Sequence, residues 1–254
     1  MKSLLSRDSA IGSWITLGDP SVAEIMAQAG FDWLVVDMEH SALTLYRVQQ
    51  LVQIIELAGC IPLVRVGENN ANLIKRVMDT GAHGVIVPMV NSKEEAERAV
   101  SAVKYPPFGS RGVGLARAQG YGTNFDSYRQ WVNAESVVIV QIEHIDAVEN
   151  LENILSVQGV DAFLVGPYDL SGSLGIPGQF NHPDMEQALT RIQEVSSTLG
   201  AVSGIHVISP SPEQVMEQFN RGYRLIAYSL DVLILASSCQ SGLKAIKDWK
   251  RTYQ

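Results

Sequence analysis

Residues 21–41 read SVAEIMAQAGFDWLVVDMEHS, and the two halves carry different periodicities. In the first, Val22, Ile25 and Met26 fall on one face at helical spacing, and Gly30 stands where a helix closes. In the second, WLVVDME (33–39) is almost continuously apolar until Asp37 and Glu39, with His40 beginning the turn. A strand without polar alternation is covered on both faces, the condition of a parallel strand packed under helices. The unit therefore reads helix, glycine, buried strand, ionisable end.

The unit recurs. Candidate strands are IGSWITL (11–17), WLVVDME (33–39), IPLVRVG (61–67), GVIVPMV (84–90), SVVIVQIEH (136–144), DAFLVGP (161–167), AVSGIHVI (201–208) and LIAYSLD (225–231). Segments of helical periodicity separate them, among them LYRVQQLVQIIELAG, EEAERAVSAV and MEQALTRIQEVSSTLG. Eight such units in 254 residues match a single-domain α/β TIM (β/α)8 barrel over 1–254. A doubly wound sheet would need a GxGxxG turn after its first strand, and none is present. One stretch breaks the rhythm: YPPFGSRGVGLARAQGYGTNFDSY (105–128) is an irregular loop and a candidate lid. Its Arg111, Arg117 and Tyr121 are candidates for reading the far end of a substrate.

The chain is 46% hydrophobic with a net charge of −8, so a large core is expected and a broad basic surface is not. Nucleic acid is therefore not an expected partner. No run approaches the ~18 continuous apolar residues of a membrane span. The start, MKSLLSRDSAIGSW, lacks an apolar core followed by a small-residue cleavage site, so a cytoplasmic protein without a membrane partner is expected. Cys60 and Cys239 have no CxxC spacing and read as buried free thiols.

A barrel of this kind puts its chemistry at the C-terminal ends of the strands. Those ends are polar here: Asp37, Glu39 and His40; Arg65; Gln141, Glu143 and His144; Asp169 in GPYDLS; His206; Ser229 and Asp231. Alternation sets Gln141 and Glu143 on one face, with Ile142 and His144 on the other. Glu143 and Asp169, from neighbouring staves, are a candidate pair for a hard, oxygen-loving ion such as Mg²⁺ or Mn²⁺. Competing uses are a bond from Asp169 to the amides of the following helix, or a glycosidase-type carboxylate pair. Against the latter, the rim offers only Trp14, Tyr121 and Tyr168 as platforms for sugar rings.

Arg65 follows an apolar run and needs an anion: a substrate carboxylate or enolate, or Glu39 or Glu143. His40, beside an acidic cluster, is a candidate general base, whereas His83, His144 and His182 read as structural or surface residues. The turns after strands 7 and 8, VISPSP and SLDVL, lack the glycines of a phosphate site and weigh against a phosphorylated substrate.

Taken in order, GFDWLVVDMEHS (30–41), PLVRV (62–66), VPMV (87–90), YPPFGSRGVG (105–114), VQIE (140–143), GVDAFLVGPYDLSGSLG (159–175) and HPDM (182–185) resemble the HpcH/HpaI family of class II, metal-dependent pyruvate aldolases. That family includes the 4-hydroxy-2-oxoheptanedioate and 2-keto-3-deoxy sugar-acid aldolases. The resemblance implies a barrel that often swaps its last helix between protomers, in a homo-oligomer expected to be a hexamer or trimer. It implies pyruvate and a small aldehyde as substrates and a divalent metal, Mg²⁺ or Mn²⁺ with Co²⁺ as a further choice. By the same resemblance, His40 would take a proton from the pyruvate methyl, with Asp79 in RVMDTG raising its basicity. Arg65 would stabilise the enolate, and Glu143 and Asp169 would hold the metal. Gln141, Asp169 and the main chain around Tyr168 would contact the substrate. Met38 and Tyr168 stand where the family often has Gly and Ala, which reshapes the aldehyde pocket.

The reaction expected is reversible aldol cleavage of a 4-hydroxy-2-oxo acid. Lys75, Lys93 and Lys104 fall on helices or their ends, so no strand end offers a Schiff-base lysine. A related barrel lyase acting on a CoA thioester of citramalyl or malyl type is the alternative.

Overall fold

The computed structural model describes residues 2–6 and 9–252; of the N-terminal stretch read above, Met1, Arg7 and Asp8 lie outside them. Its strands are β1 (Ala10–Ile15), β2 (Trp33–Asp37), β3 (Ile61–Arg65), β4 (Gly84–Val87), β5 (Val137–Ile142), β6 (Ala162–Val165), β7 (Ser203–Val207) and β8 (Leu225–Leu230). All pair in parallel in sequence order, and β8 closes on β1 to complete the (β/α)8 barrel. Each strand stops one to three residues before its apolar run ends. Glu39, His40, Glu143 and Asp169 consequently sit in or beyond the turns that follow the strands.

The helices are α1 (Lys2–Leu5), α2 (Pro20–Gln28), α3 (Leu45–Leu57), α4 (Ala71–Asp79), α5 (Lys93–Val103), α6 (Phe125–Ala134), α7 (Ile145–Glu149), α8 (Leu151–Leu155), α9 (Pro167–Ser173), α10 (Pro183–Leu199), α11 (Pro212–Asn220) and α12 (Asp231–Thr252). Asp19, Thr44, Asn70, Ser92 and Ser211 cap their helices by accepting from first-turn N–H groups. Each such cap contributes about 1 kcal/mol.

Alternation divides the strands between two cores. Leu34 and Val36 of β2 face the helices, whereas Trp33, Val35 and Asp37 face the barrel axis. Trp33, Leu63, Ile86, Ile139 and Leu164 fill the interior, and Leu4 and Leu5 of α1 plug its N-terminal end. Any side chain at Gly12 would overlap the Trp33 indole, so that glycine admits the largest interior side chain. Trp33→Ala would cost about 3–5 kcal/mol.

Within the single chain, the fold bears on three expectations. The 105–128 stretch connects α5 to β5, so it lies at the N-terminal end of the barrel, opposite the polar strand ends. Within the chain it is no lid. Arg111 is inserted against the Tyr105 and Tyr128 rings and donates to Asp79 Oδ1 at 2.6 Å. Arg117 donates to the Thr80 carbonyl at 2.9 Å and pairs with Glu56. These cations tie the stretch down, and Tyr121 is an exposed residue of a 3-10 turn (Arg117–Gly122), away from the rim.

Second, Cys239 is exposed, because α12 projects with only Asp231 buried. Cys60 is buried as expected, and burial pushes its thiol up to about 12. Third, Asp79 ends α4 at the same N-terminal side, where Arg111 and Gln119 occupy its carboxylate. The chain does not bring it to His40. Among the described residues, no helix is long and apolar enough to cross a membrane.

Candidate active site

A cavity of about 750 Å³ opens at the C-terminal end of the barrel, with Trp14, His40, Arg65, Tyr168, Asp169 and His206 in its wall. Strands β2 and β3 are both five residues long and paired residue for residue, so Asp37 stands beside Arg65. Arg65 Nε donates to Asp37 Oδ1 at 2.9 Å and Nη2 to Oδ2 at 2.7 Å. Nη1 lies 3.2 Å from Glu39 Oε2, and the guanidinium stacks 4.3 Å above the Trp14 ring centroid. Planar, forked and held on three sides, it is a fixed positive charge. Of the two carboxylates the sequence offers to Arg65, Glu39 takes part. Glu143 acts on it only through space, and Asp37 supplies the fork.

The carboxylates here are buried unequally. Burial alone would raise the Asp37 carboxyl, but the Arg65 hydrogen bonds and charge, with the Glu39 and His40 N–H groups, hold it below its usual range. Glu39 is raised by burial and by Asp37 and Asp169, against the pull of Arg65. Glu143, 2% exposed, is pushed up to about 7, chiefly by burial and further by Glu39 and Asp169. One N–H opposes this: Met89 N donates to Glu143 Oε1 at 2.8 Å. Met89 has φ +51°, a strained left-handed conformation that turns its amide toward the acid. Sequence reasoning missed that donor; the only signal was the VPMV segment itself.

Gln141 donates its Nε2 to Glu143 Oε2, which leaves its buried Oε1 without a partner among the described residues. Asp169, in the first turn of α9, is open to the cavity and acts electrostatically on both Glu39 and Glu143. A side chain at Gly166 would crowd Glu143 Oε2, at 2.8 Å, and Gln141 Nε2, at 3.0 Å. Among the described residues, no group of three or more His, Cys, Asp and Glu side chains could hold a metal. Asp169 in the cavity wall, Glu143 buried behind it and the orphaned Gln141 Oε1 thus form an oxygen donor set crowded with negative charge. That chemistry fits a hard divalent ion completed by substrate and water oxygens.

His40 lines the cavity with its side chain 62% exposed, and its Nε2 is 3.9 Å from Glu39 Oε2. Tyr168 is exposed at the mouth, edge-on to Phe180 with ring centroids 4.8 Å apart. His206 faces Trp14 with ring centroids 5.3 Å apart, its Nε2 lies 3.1 Å from the Ser229 carbonyl, and burial pushes it down to about 4. The other histidines are structural, as read: His144 and His182 cap α7 and α10, and His83 pairs with Glu56. Asp231 accepts from the Thr16 and Leu17 N–H groups and ties the start of α12 to the end of β1.

The chain is similar to known proteins over nearly its whole length. It is 40% identical over 250 residues to the 2-dehydro-3,6-dideoxy-6-sulfogluconate aldolase of Pseudomonas putida, covering 96% of this chain and 95% of the relative. It is 34% identical over 252 residues to the hydroxypyruvate/pyruvate aldolase of Roseobacter denitrificans, covering 98% and 96%. A Burkholderia cenocepacia J2315 structure described as an HpcH/HpaI aldolase/citrate lyase family protein superposes with a TM-score of 0.92 at 35% identity, over 97% of this chain and 98% of that one. The pattern of the HpcH/HpaI aldolase/citrate lyase family matches residues 10–237. With its closed barrel and a rim of carboxylates around one clamped arginine, the chain belongs to the HpcH/HpaI aldolase/citrate lyase family.

Proposed function

We propose that this protein is a class II aldolase that reversibly cleaves a 4-hydroxy-2-oxo acid to pyruvate and an aldehyde. One observation carries the reading: Glu143 and Asp169 repel each other beside a cavity whose wall also bears His40 and Arg65. Carboxylates crowded in this way call for a cation, and Glu143 and Asp169 would hold a divalent metal, Mg²⁺ or Mn²⁺. When bound, that ion acts as a Lewis acid that acidifies the methyl group of a chelated 2-oxo acid.

The chain's own residues do the rest. Arg65 presents a fixed positive charge where negative charge develops on the keto oxygen, in a cavity partly closed to water. Gln141 and the main chain around Tyr168 position the 2-oxo acid. His40 Nε2 takes the methyl proton, the carbanion carbon forms a bond to the aldehyde carbon, and the proton returns to the new alkoxide. Cleavage runs the same steps in reverse. The apolar Leu235, Leu243, Ile246 and Trp249, exposed along α12, support assembly with further copies of the chain into a homo-oligomer.

Pyruvate methyl protons followed by NMR in deuterated water test the reading. Exchange is expected with Mn²⁺, lost after exhaustive chelation and restored by Mn²⁺. Exchange that survives chelation would refute the metal-dependent mechanism.

A further inference from the structure

We propose that Met89 is a positioning residue for the carboxylate assigned to the metal: its left-handed backbone aims a main-chain amide at Glu143 and fixes the rotation of that side chain. The proposal rests on the metal-dependent aldolase reading and adds a residue that acts through Glu143.

Strand β4 stays in register with β5 as far as the Val87–Val140 pair, while β5 runs on to Ile142. Two residues past that pair the chain leaves the extended region, with φ +51° at Met89. A residue with a Cβ adopts this angle at a cost, and it stays there where its surroundings over-determine it. Those surroundings are firm. Val90 is fully buried among the helix-facing core residues. The Asn91 N–H donates to Glu95 Oε2 at 2.7 Å, and the Asn91 carbonyl accepts from Asn150 Nδ2 at 3.0 Å. The Met89 side chain is itself 46% exposed, so its own packing is not what the strain secures. The angle secures a donor: the Met89 N–H meets Glu143 Oε1 at 2.8 Å.

The donor comes from a second stave. Gln141 also donates to Glu143, through Nε2 to Oε2, but those two residues belong to the same stave. Met89 follows the neighbouring strand, so its bond ties the carboxylate to a separate part of the barrel. Bonds to both oxygens hold the carboxylate plane, and an N–H on a carboxylate is among the stronger hydrogen bonds. Gly166 closes a further side, since a Cβ there would stand 2.8 Å from Glu143 Oε2. A ligand oriented before its ion arrives loses less freedom on binding. With Val90 and Asn91 anchored, returning residue 89 to negative φ rotates the Pro88–Met89 peptide plane and carries the N–H off the carboxylate.

The test is Mn²⁺ binding, measured by EPR titration of the full chain without substrate. Replacing Met89 by its α-hydroxy acid exchanges one N–H for an ester oxygen and leaves every side chain in place. Met89→Val, whose branched Cβ resists positive φ, turns the N–H away, whereas Met89→Gly adopts the same angle freely. The ester and Met89→Val are expected to weaken Mn²⁺ binding by about 10–100-fold, the usual effect of removing a partner of a metal ligand. Met89→Gly is expected to stay within about threefold of wild type. Each dissociation constant is read on protein with wild-type circular dichroism, and if Met89→Val does not fold, the ester decides. A backbone angle that served the fold alone would lower the urea midpoint of Met89→Val and leave Mn²⁺ affinity unchanged. That result overturns the proposal, as does wild-type affinity in the ester. So does a loss in Met89→Gly as large as in Met89→Val, which would assign the effect to the side chain. Glu143→Ala in the same titration separates the failures. Weakened binding in Glu143→Ala with wild-type affinity in the ester refutes the positioning role alone. Wild-type affinity in Glu143→Ala refutes the metal assignment beneath it and the proposal with it.

Discussion

Asp37 and Arg65 are register partners on adjacent parallel strands, and their side chains meet in two hydrogen bonds of 2.9 and 2.7 Å. The fork fixes the plane of the guanidinium, and Trp14 covers its face. Arg65→Lys replaces a planar fork with a point charge that matches neither Asp37 oxygen nor the aromatic face. Pyruvate proton exchange should fall by about 10²–10³-fold, the effect of removing one oxyanion donor. Asp37→Ala leaves a buried guanidinium half-paired and should lower unfolding free energy by about 3–5 kcal/mol, read by urea titration.

Glu143→Gln removes a negative oxygen from the pair assigned to the metal. Outer-sphere partners of a metal typically account for about 10–100-fold in affinity, and a direct donor should account for no less. Mn²⁺ titration followed by EPR gives the dissociation constant, and unchanged binding would remove Glu143 from the site.

His40→Asn addresses the base. The side chain is 62% exposed and its nearest charged neighbour is 3.9 Å away, so little of the fold depends on it. Methyl-proton exchange should drop by about 10²–10⁴-fold. Mn²⁺ affinity and urea midpoint should stay at their wild-type values, which separates loss of a base from loss of structure.

The pH dependence of stability should contain a His206 contribution. Its folded-state value, about 4, lies below the ordinary 6.5 because burial disfavours the imidazolium. The unfolded chain therefore takes up a proton first. Stability from this group is fully present above pH 6.5 and is lost as pH falls through 4, by up to about 3 kcal/mol. Urea unfolding at pH 7, 5.5 and 4.5 should show His206→Asn losing less stability across that range than wild type.

Asp79→Ala tests the N-terminal end of the barrel. Arg111 has no exposed side-chain surface and depends on the Asp79 carboxylate, with Tyr128 as its other partner. Removing the acid should cost about 3–5 kcal/mol. Limited proteolysis should then begin within 105–122 before it reaches the barrel.

The eight strands were legible because a parallel barrel strand is covered on both faces and shows as an unbroken apolar run. The polar ends were legible for the same reason: Glu39, Glu143 and Asp169 interrupt or follow those runs at the side where strands end. The lid expectation for 105–128 came from length and irregularity alone. Its place between a helix and the next strand already sets it at the other end of the barrel. Cys239 sits on a helix whose apolar residues suggested burial, but α12 leaves the body of the chain.

By itself, the sequence determined the barrel, its order and the rim on which ionisable groups gather, since periodicity and strand polarity depend on residue type and spacing. The tertiary structure alone decided that Arg65 is forked by Asp37, that the Met89 amide meets Glu143, that the buried His206 ring meets the Ser229 carbonyl, and that Asp79 serves Arg111. Those outcomes depend on strand register, one strained backbone angle and the burial of each charge. They arise from distances between residues far apart in the chain, which no local pattern encodes.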